Sequence, residues 1–319
     1  MKPNVLITRP IPGEVEAYIA THCNYIKWDK EEPMPRQELL KQLVHVEGLL
    51  TAGGKIDDEL LGHAPHLKVV SNLSVGYNNM DLAAMKSHGV IGTNTPGVLD
   101  ETVADLIFGL ILGAARRIPE LDLYVKQGKW QRGDDEVLFG LDVHHATLGI
   151  IGMGRIGEAI ARRAKLGFQM NVQYFNRNRK PEVEARLGIV YQTMTSLLRT
   201  SDFIILMVPL TEETTHLIGR EQFLNMKPTA VFINASRGKT VDESALIEAL
   251  LEKKIHAAGL DVFDREPVDS LNPLLRMPNV IALPHIGSAT AQTRFDMAML
   301  AAKNLVSALT GQIPPNIVS

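Results

Sequence analysis

The chain has 319 residues, too many for one ordinary domain, and its 45% hydrophobic and 22% charged content is that of a globular protein with ample core. A formal charge of -3 excludes the basic field that nucleic acid or an anionic membrane surface would need. Cys23 is the single cysteine, so no disulfide can form within the chain, which fits a reducing, cytoplasmic setting.

Residues 1–10 read as a first strand and not as a signal peptide, because the apolar core Val5-Leu6-Ile7 is too short. Residues 12–22 read as a helix, with Val15, Tyr18 and Ile19 at helical spacing. A second helix is expected over 36–44 and a strand over 48–51, followed by the loop Thr51-Ala52-Gly53-Gly54. Residues 56–63 are helical, 68–71 a strand, 72–78 the loop after it, 80–87 helical and 90–93 a further strand. Strands alternating with helices predict a parallel sheet covered on both faces. Asn94-Thr95-Pro96-Gly97 reads as the crossing point out of this first domain.

Residues 102–118 read as one long, very apolar helix. Its uncharged core, 106–115, is too short to cross a bilayer, and Asp105 and Arg116-Arg117 bracket it. A helix apolar nearly all round belongs in a core or an interface, and an interdomain or subunit interface is favoured. The mixed stretch 121–142 is a candidate for packing against a second subunit. Strands are then expected at 148–151, 172–175, 189–191, 203–208, 231–234, 256–260 and 280–283, most of them separated by helical patterns. Residues 289–310 form a last helix that returns to the first domain. The expected architecture is α/β: two doubly wound parallel-sheet domains, a Rossmann domain over 100–286 inserted into a flavodoxin-like domain made of 1–99 and 287–319, with a cleft between the lobes. The chain shows no short internal repeat and no low-complexity tract.

The second domain is organised around Gly152-Met153-Gly154-Arg155-Ile156-Gly157. An apolar run leads in and a helical pattern leads out, the context that lifts a bare G-x-G-x-x-G above chance. The three glycines suit a tight turn, close approach of a pyrophosphate to backbone, and close packing of helix on strand. An acidic residue about twenty positions later normally accepts the ribose hydroxyls of NAD. Here Asn176-Arg177-Asn178-Arg179-Lys180 holds no carboxylate and three cations. A guanidinium binds a 2′-phosphate that a carboxylate would repel. NADP is therefore expected over NAD, with Arg177 the first choice as ligand and Arg179 the second.

Three polar residues each follow an expected strand: Arg237 in Asn234-Ala235-Ser236-Arg237-Gly238, Glu266 before Pro267, and His285 in Leu283-Pro284-His285-Ile286-Gly287. Ligands of open α/β sheets bind outside the carboxyl ends of the strands, so all three can face one crevice. Their types suit hydride reduction of a 2-oxo acid. An imidazolium protonates the carbonyl oxygen, a guanidinium holds the carboxylate in two parallel hydrogen bonds, and a carboxylate on the far imidazole nitrogen selects the tautomer and raises the histidine pKa. His144-His145 precede the first strand of their domain, at the wrong end of the sheet, and read as structural. No histidine or cysteine spacing suggests a metal. In the first domain, the loop containing Ser74, Val75 and Gly76 offers backbone N–H groups to the substrate carboxylate, and 51–54 is a second candidate loop.

With these residues in view, the chain resembles the D-isomer-specific 2-hydroxyacid dehydrogenases along nearly its whole length. The resemblance is carried by 149–157, Leu206-Met207-Val208-Pro209-Leu210-Thr211, 234–238, 259–267 and 284–288. Within the family it looks most like bacterial glyoxylate/hydroxypyruvate and 2-ketogluconate reductases, with Asn176-Arg177 similar to their NADP-preferring signature and Val75-Gly76 to their substrate-carboxylate loop. It implies catalytic roles for Arg237, Glu266 and His285. It implies cofactor contacts from Arg155, Ile156, Val208, Pro209, Thr214, Ala235, Asp261, Gly287 and Thr102, beside the glycine turn. It also implies a cleft that closes on binding and a homodimer made largely by the cofactor domains. A competing reading is a nucleotide-sensing corepressor of the same fold. Such proteins add long disordered tails, and a chain ending at Ser319 is not expected to be one.

Overall fold

The computed structural model describes residues 2–318, so Met1 and Ser319, the outermost residues of the expected first domain, lie outside the described residues. The chain divides into two compact units, one running to Leu99 and resuming at Ser288, the other Asp100–Gly287. The second unit ends one residue beyond the expected 286, and Gly287 is tied into it by donating its N–H to Asp261 Oδ2 at 2.8 Å.

In the first unit, β1 (Asn4–Ile7), β2 (Asn24–Lys27), β3 (Gly48–Thr51), β4 (Val69–Asn72) and β5 (Ile91–Thr93) pair in parallel in the order β2-β1-β3-β4-β5. This is the flavodoxin-like order. A short strand, Ile317–Val318, joins β5 antiparallel at the edge. Side chains alternate across the sheet. Val5, Ile7 and Leu50 pack with Leu305 of the helix Ala291–Leu309, while Leu6, Leu49 and Val70 pack with Leu43 and Leu60 on the other face. Two strands were not expected. Asn24-Tyr25-Ile26-Lys27 is an edge strand whose alternate residues are exposed, so it shows no apolar run, and Ile317–Val318 is too short to carry a pattern.

In the second unit, β6 (Thr147–Ile151), β7 (Asn171–Phe175), β8 (Val190–Tyr191), β9 (Phe203–Leu206), β10 (Val231–Asn234), β11 (Ala257–Leu260) and β12 (Val280–Ala282) form one sheet ordered β8-β7-β6-β9-β10-β11-β12. Every pair is parallel. This is the Rossmann order with a seventh strand, and its direction reverses between β6 and β9. β9, β10 and β11 are buried along their whole length, as strands covered on both faces must be.

The helix expected over 102–118 is present and stops three residues early, and a second helix follows it into the stretch expected to be mixed. Asp100–Ala115 ends before Arg117, which takes a left-handed φ of 55°, and Ile118–Lys126 begins anew with Pro119 in its first turn. Proline has no N–H to give the carbonyl four residues back and its ring crowds that carbonyl. Ala115 O, released from the ladder, accepts instead from Leu141 N at 2.7 Å.

Candidate active site

Phe175, Ile151, Leu206, Asn234, Leu260 and Ala282 lie in one register row across six strands of the second sheet. Because the strands are parallel, the chain leaves this row by the same edge every time. The first residues beyond it are Asn176, Gly152, Met207, Ala235, Asp261 and Leu283. Ligands of open α/β sheets bind along this edge.

After β6 the chain turns at Gly152, with φ 103°, and a Cβ there would lie 2.3 Å from Met207 O. A Cβ on Gly157 would lie 2.5 Å from Gly152 O, so the helix Arg155–Phe168 can start this close to the strand only without a side chain. Gly154 differs: it is the N-cap, it is exposed, and a Cβ there would meet nothing within 4 Å. No side chain caps this helix, so the first N–H groups, those of Arg155, Ile156 and Gly157, and the positive end of the helix dipole remain available to an anion. The Arg155 side chain is exposed beside them, 3.6 Å from Asp100 Oδ2. A dinucleotide pyrophosphate fits this cradle.

The loop after β7 separates its three cations. Tyr174 OH, on a fully buried ring, accepts from Lys180 N and donates to Glu184 Oε1, both at 2.7 Å. Glu184 clamps Arg179 through two hydrogen bonds, 2.8 and 2.7 Å, and Lys180 reaches Glu158 at 3.3 Å. Asn176 Nδ2 donates to Asn178 O within the loop. Arg177 is exposed and makes no hydrogen bond or ion pair among the described residues. Along the loop after β9, Thr214 Oγ1 donates to Pro209 O at 2.6 Å and accepts from Thr211 N at 2.8 Å, closing the turn that displays Val208 and Pro209. Thr102 lies half-buried in the first turn of Asp100–Ala115.

After β10, the almost fully buried Asn234 accepts from Ser236 N and Oγ at 3.0 and 2.8 Å and donates to Arg237 O at 3.1 Å. Ala235 is held inside this turn. Gly238 cannot carry a side chain, because a Cβ would sit 1.8 Å from Phe263 O. The Arg237 loop thus packs backbone on backbone against the loop that carries Glu266. Arg237 is half-buried and donates to Ser236 O at 2.6 Å. Burial lowers its pKa, and the charge of Glu266 opposes that.

His285 Nδ1 and Glu266 Oε2 are 2.7 Å apart, and the other Glu266 oxygen accepts from Phe263 N at 3.1 Å. Burial alone would raise the Glu266 carboxyl. The hydrogen bonds from His285 and Phe263, with the fields of His285 and Arg237, outweigh it and hold the group below the usual carboxylate range. An ionised carboxylate only accepts, so Nδ1 carries the proton and Nε2 is left for exchange. The imidazole is 46% exposed, enough to be reached from outside. His285 itself takes a left-handed φ of 54°, a strain that needs support from its surroundings. Asp261, 1% exposed, supplies it by accepting Ile286 N at 2.7 Å and Gly287 N at 2.8 Å. Burial raises the Asp261 pKa against the lowering by those two amides.

Arg237, Glu266 and His285, chosen from sequence, are therefore brought together beyond adjacent strands β10, β11 and β12. Asn234, Ser236 and Gly238, which fix Arg237, were quoted without a role. An Asn two residues before a Ser is an Asx-turn signal that points to them. His144 and His145 meet edge to face, 5.1 Å between ring centroids, at the amino end of β6 and so at the opposite edge. Among the described residues no group of three His, Cys, Asp or Glu is placed to hold a metal, and no helix is long and apolar enough to cross a membrane.

In the first unit, the loop after β4 has its carbonyls engaged: Thr95 N donates to Ser74 O, Asn94 Nδ2 to Val75 O, and Ser74 Oγ to Gly76 O. No acceptor takes the N–H of Val75 or Gly76 among the described residues. The second candidate loop spends its polar side chain on itself, Thr51 Oγ1 donating to Gly53 O at 2.7 Å.

The Arg179 clamp has a pH signature. Its hydrogen bonds with Arg179 and Tyr174 bring Glu184 down to about 2. A lowered carboxylate stabilises the fold fully above its unfolded pKa and loses that contribution as pH falls towards the folded one. The gap in urea midpoint between the native protein and Glu184→Gln is expected to be constant above about pH 5.5, given an unfolded value of about 4.3, and to close steadily below it. A gap that does not narrow in acid refutes the clamp.

The D-isomer specific 2-hydroxyacid dehydrogenase, NAD binding domain, model matches residues 108–287. A glyoxylate/hydroxypyruvate reductase B of Yersinia pestis is 47% identical over 319 residues, all of this chain and 98% of that protein. A solved structure from Thermus thermophilus superposes with a TM-score of 0.91 at 40% identity, covering 99% of this chain and 100% of that one. An NADPH-dependent glyoxylate/hydroxypyruvate reductase of Sinorhizobium meliloti, solved with NADP and malonate, superposes with a TM-score of 0.87 at 32% identity, covering 100% and 97%. The chain belongs to the D-isomer-specific 2-hydroxyacid dehydrogenases and is an NAD(P)-dependent oxidoreductase.

Proposed function

We propose that this enzyme reduces a small 2-oxo acid to the D-2-hydroxy acid, with NADPH as the preferred donor. The observation that carries the chemistry is the 2.7 Å contact of His285 with Glu266, with Arg237 fixed on the neighbouring loop. The nicotinamide, when bound, supplies the hydride. As charge grows on the substrate oxygen, His285 gives it a proton from Nε2. Glu266 keeps the ring in the right tautomer and offsets the imidazolium. Arg237 binds the substrate carboxylate in two parallel hydrogen bonds and so aligns the carbonyl. The N–H groups of Val75 and Gly76, with Ser74 shaping their loop, add a second hold on that carboxylate. Glyoxylate and hydroxypyruvate are favoured over 2-ketogluconate by the names of the Yersinia and Sinorhizobium relatives. A steady-state panel of the three with NADPH tests the reading, and no turnover with any of them would favour the corepressor-like binding role. In His285→Gln, kcat is expected to fall by about 10²–10⁴-fold while NADPH binds as before. Retained kcat removes His285 from the proton transfer.

The preference for NADPH is proposed on Arg177, which makes no hydrogen bond or ion pair among the described residues although its field reaches Glu213, and on the absence of a carboxylate from 176–180. With Arg179 held by Glu184, Arg177 is the better ligand for the 2′-phosphate. Gly152, Gly154, Gly157, Arg155 and Ile156 would hold the pyrophosphate, and Val208, Pro209, Thr214, Ala235, Asp261, Gly287 and Thr102 would line the rest of the cofactor site. A charge-assisted hydrogen bond lost and a repulsion gained weaken NADPH binding by about 10–100-fold in Arg177→Asp, with NADH binding little changed. An unchanged NADPH affinity rejects the assignment.

A homodimer is proposed on the strength of the stretch 118–139. Ile118, Leu123, Val125, Trp130, Val137 and Phe139 are all more than half exposed there, in a chain whose other large apolar residues are mostly buried. Light scattering is expected to give twice the chain mass for the native protein and a lower mass for Trp130→Glu with Phe139→Glu. A native monomer ends the dimer reading.

A further inference from the structure

Three successive carbonyls in the loop after β4 are gripped from inside the first unit. Ser74 O accepts from Thr95 N at 3.0 Å, and Val75 O from Asn94 Nδ2 at 2.7 Å. Gly76 O accepts from Ser74 Oγ at 2.6 Å and Asn72 Nδ2 at 3.3 Å. In a trans peptide the C=O of one residue and the N–H of the next point in opposite directions. Fixing Ser74 O therefore turns Val75 N–H outward, and fixing Val75 O turns Gly76 N–H outward beside it. Two successive amides aimed the same way make an anion-binding concavity. A rotation of either peptide would swap an N–H for a carbonyl oxygen and make the same spot repel an anion.

Of these grips, the one on Val75 O depends on a single side chain, and that side chain is itself held. Asn94 N donates to Asn316 O at 3.2 Å, and Asn94 O accepts from Asn304 Nδ2 at 2.9 Å. Asn304 is completely buried on the helix Ala291–Leu309, between apolar neighbours such as Ala301, Ala302 and Leu305. A buried amide costs stability unless its hydrogen bonds are made. Asn304 Oδ1 is buried with no protein partner, as are Thr95 Oγ1 and Asn316 Oδ1 nearby in the chain path. Packing alone would place an aliphatic residue at 304. What the amide does instead is hold the main chain at 94, across 210 residues of sequence.

We infer that Asn94, and Asn304 behind it, are positioning residues for substrate binding: they lock the peptide after Val75 so that the Gly76 N–H stands beside the Val75 N–H and the pair presents an anion site to the substrate carboxylate. Neither residue touches the substrate. The inference rests on the reading of those two amides as carboxylate ligands, and the test separates the two.

Asn94→Ala, Asn304→Ala and Gly76→Pro are measured with NADPH and glyoxylate, alongside NADPH affinity and thermal unfolding. A contact made equally in ground and transition states moves KM and leaves kcat alone. Asn94→Ala is expected to raise KM about tenfold, the worth of one hydrogen bond, with kcat and NADPH affinity within about twofold of native. Asn304→Ala is expected to change KM in the same direction by less. Oxalate, a dicarboxylate probe of the same site, weakens as an inhibitor in parallel. An unchanged KM in Asn94→Ala overturns the inference, as does a joint fall of kcat, NADPH affinity and melting temperature, which marks a merely structural role. If Asn94→Ala does not fold, Asn304→Ala decides by the same criteria. Gly76→Pro deletes the amide itself: an unchanged KM there removes the carboxylate reading, whereas a raised KM there with native behaviour in Asn94→Ala removes only the positioning role.

Discussion

A hydrogen bond of 2.7 Å joins His285 to Glu266, two residues on loops that leave neighbouring strands. Such a bond survives only if both loops are held to within a few tenths of an ångström, since its strength falls steeply with distance and angle. Each loop is accordingly tied down by backbone rather than by long side chains. Asp261, buried at the end of β11, takes two amides of the loop that carries His285. Phe263 N holds the second oxygen of Glu266, and the absence of a side chain on Gly238 lets the Arg237 loop rest directly on Phe263 O. The left-handed φ of His285 is tolerated because these ties over-determine it. Parallel pairing in one register is the prior condition, for it brings the ends of β10, β11 and β12 level before any loop begins.

The loop after β7 shows how charge count and charge availability differ. Three cations in five residues look like one basic patch in sequence. In the structure, Arg179 is spent on Glu184 and Lys180 on Glu158, and Tyr174 holds both the Lys180 backbone and the Glu184 carboxyl. A guanidinium already engaged by a carboxylate must break that pair to receive a phosphate. Arg177 has no such pair to break among the described residues. The carboxylate that fixes Arg179 therefore leaves Arg177 the less committed of the two guanidiniums, and it does so from a helix, Pro181–Leu187, that no cofactor motif includes.

Much of the fold was legible because its strands are short apolar runs bounded by polar turns, and its order follows from the alternation with helices. What escaped had a physical reason in each case. β2 sits at an edge with its alternate residues exposed, so it lacks the apolar run that marks the others. The helix Ile118–Lys126 escaped because it is short and mixes charged with exposed apolar residues, although Pro119 in its first turn announced it. The candidate site was legible where reactive residue types stand at strand ends, as at Arg237, Glu266 and His285. It was not legible where a buried polar residue acts on distant backbone. Asp261 reaches Gly287 and Asn304 reaches Asn94 through contacts that local sequence does not encode.

The two candidate anion sites, one in each unit, rest on the same treatment of the peptide group. At the start of Arg155–Phe168 the helix fixes carbonyls along its axis and leaves the first N–H groups facing out, with Gly154 clearing the approach. In the loop after β4 no helix is available, and the carbonyls are fixed one at a time, by the main-chain N–H of Thr95, the side chain of Asn94 and the loop's own Ser74 hydroxyl. The helix version needs only a glycine turn, which is why it is written locally and read easily. The loop version needs a donor for each carbonyl, and each donor needs its own support, which is why a buried asparagine appears on a C-terminal helix otherwise lined with small and aliphatic residues. A main-chain site of this kind would contribute no side chain of its own, so any selectivity for a carboxylate would be stored in the residues that hold it in place.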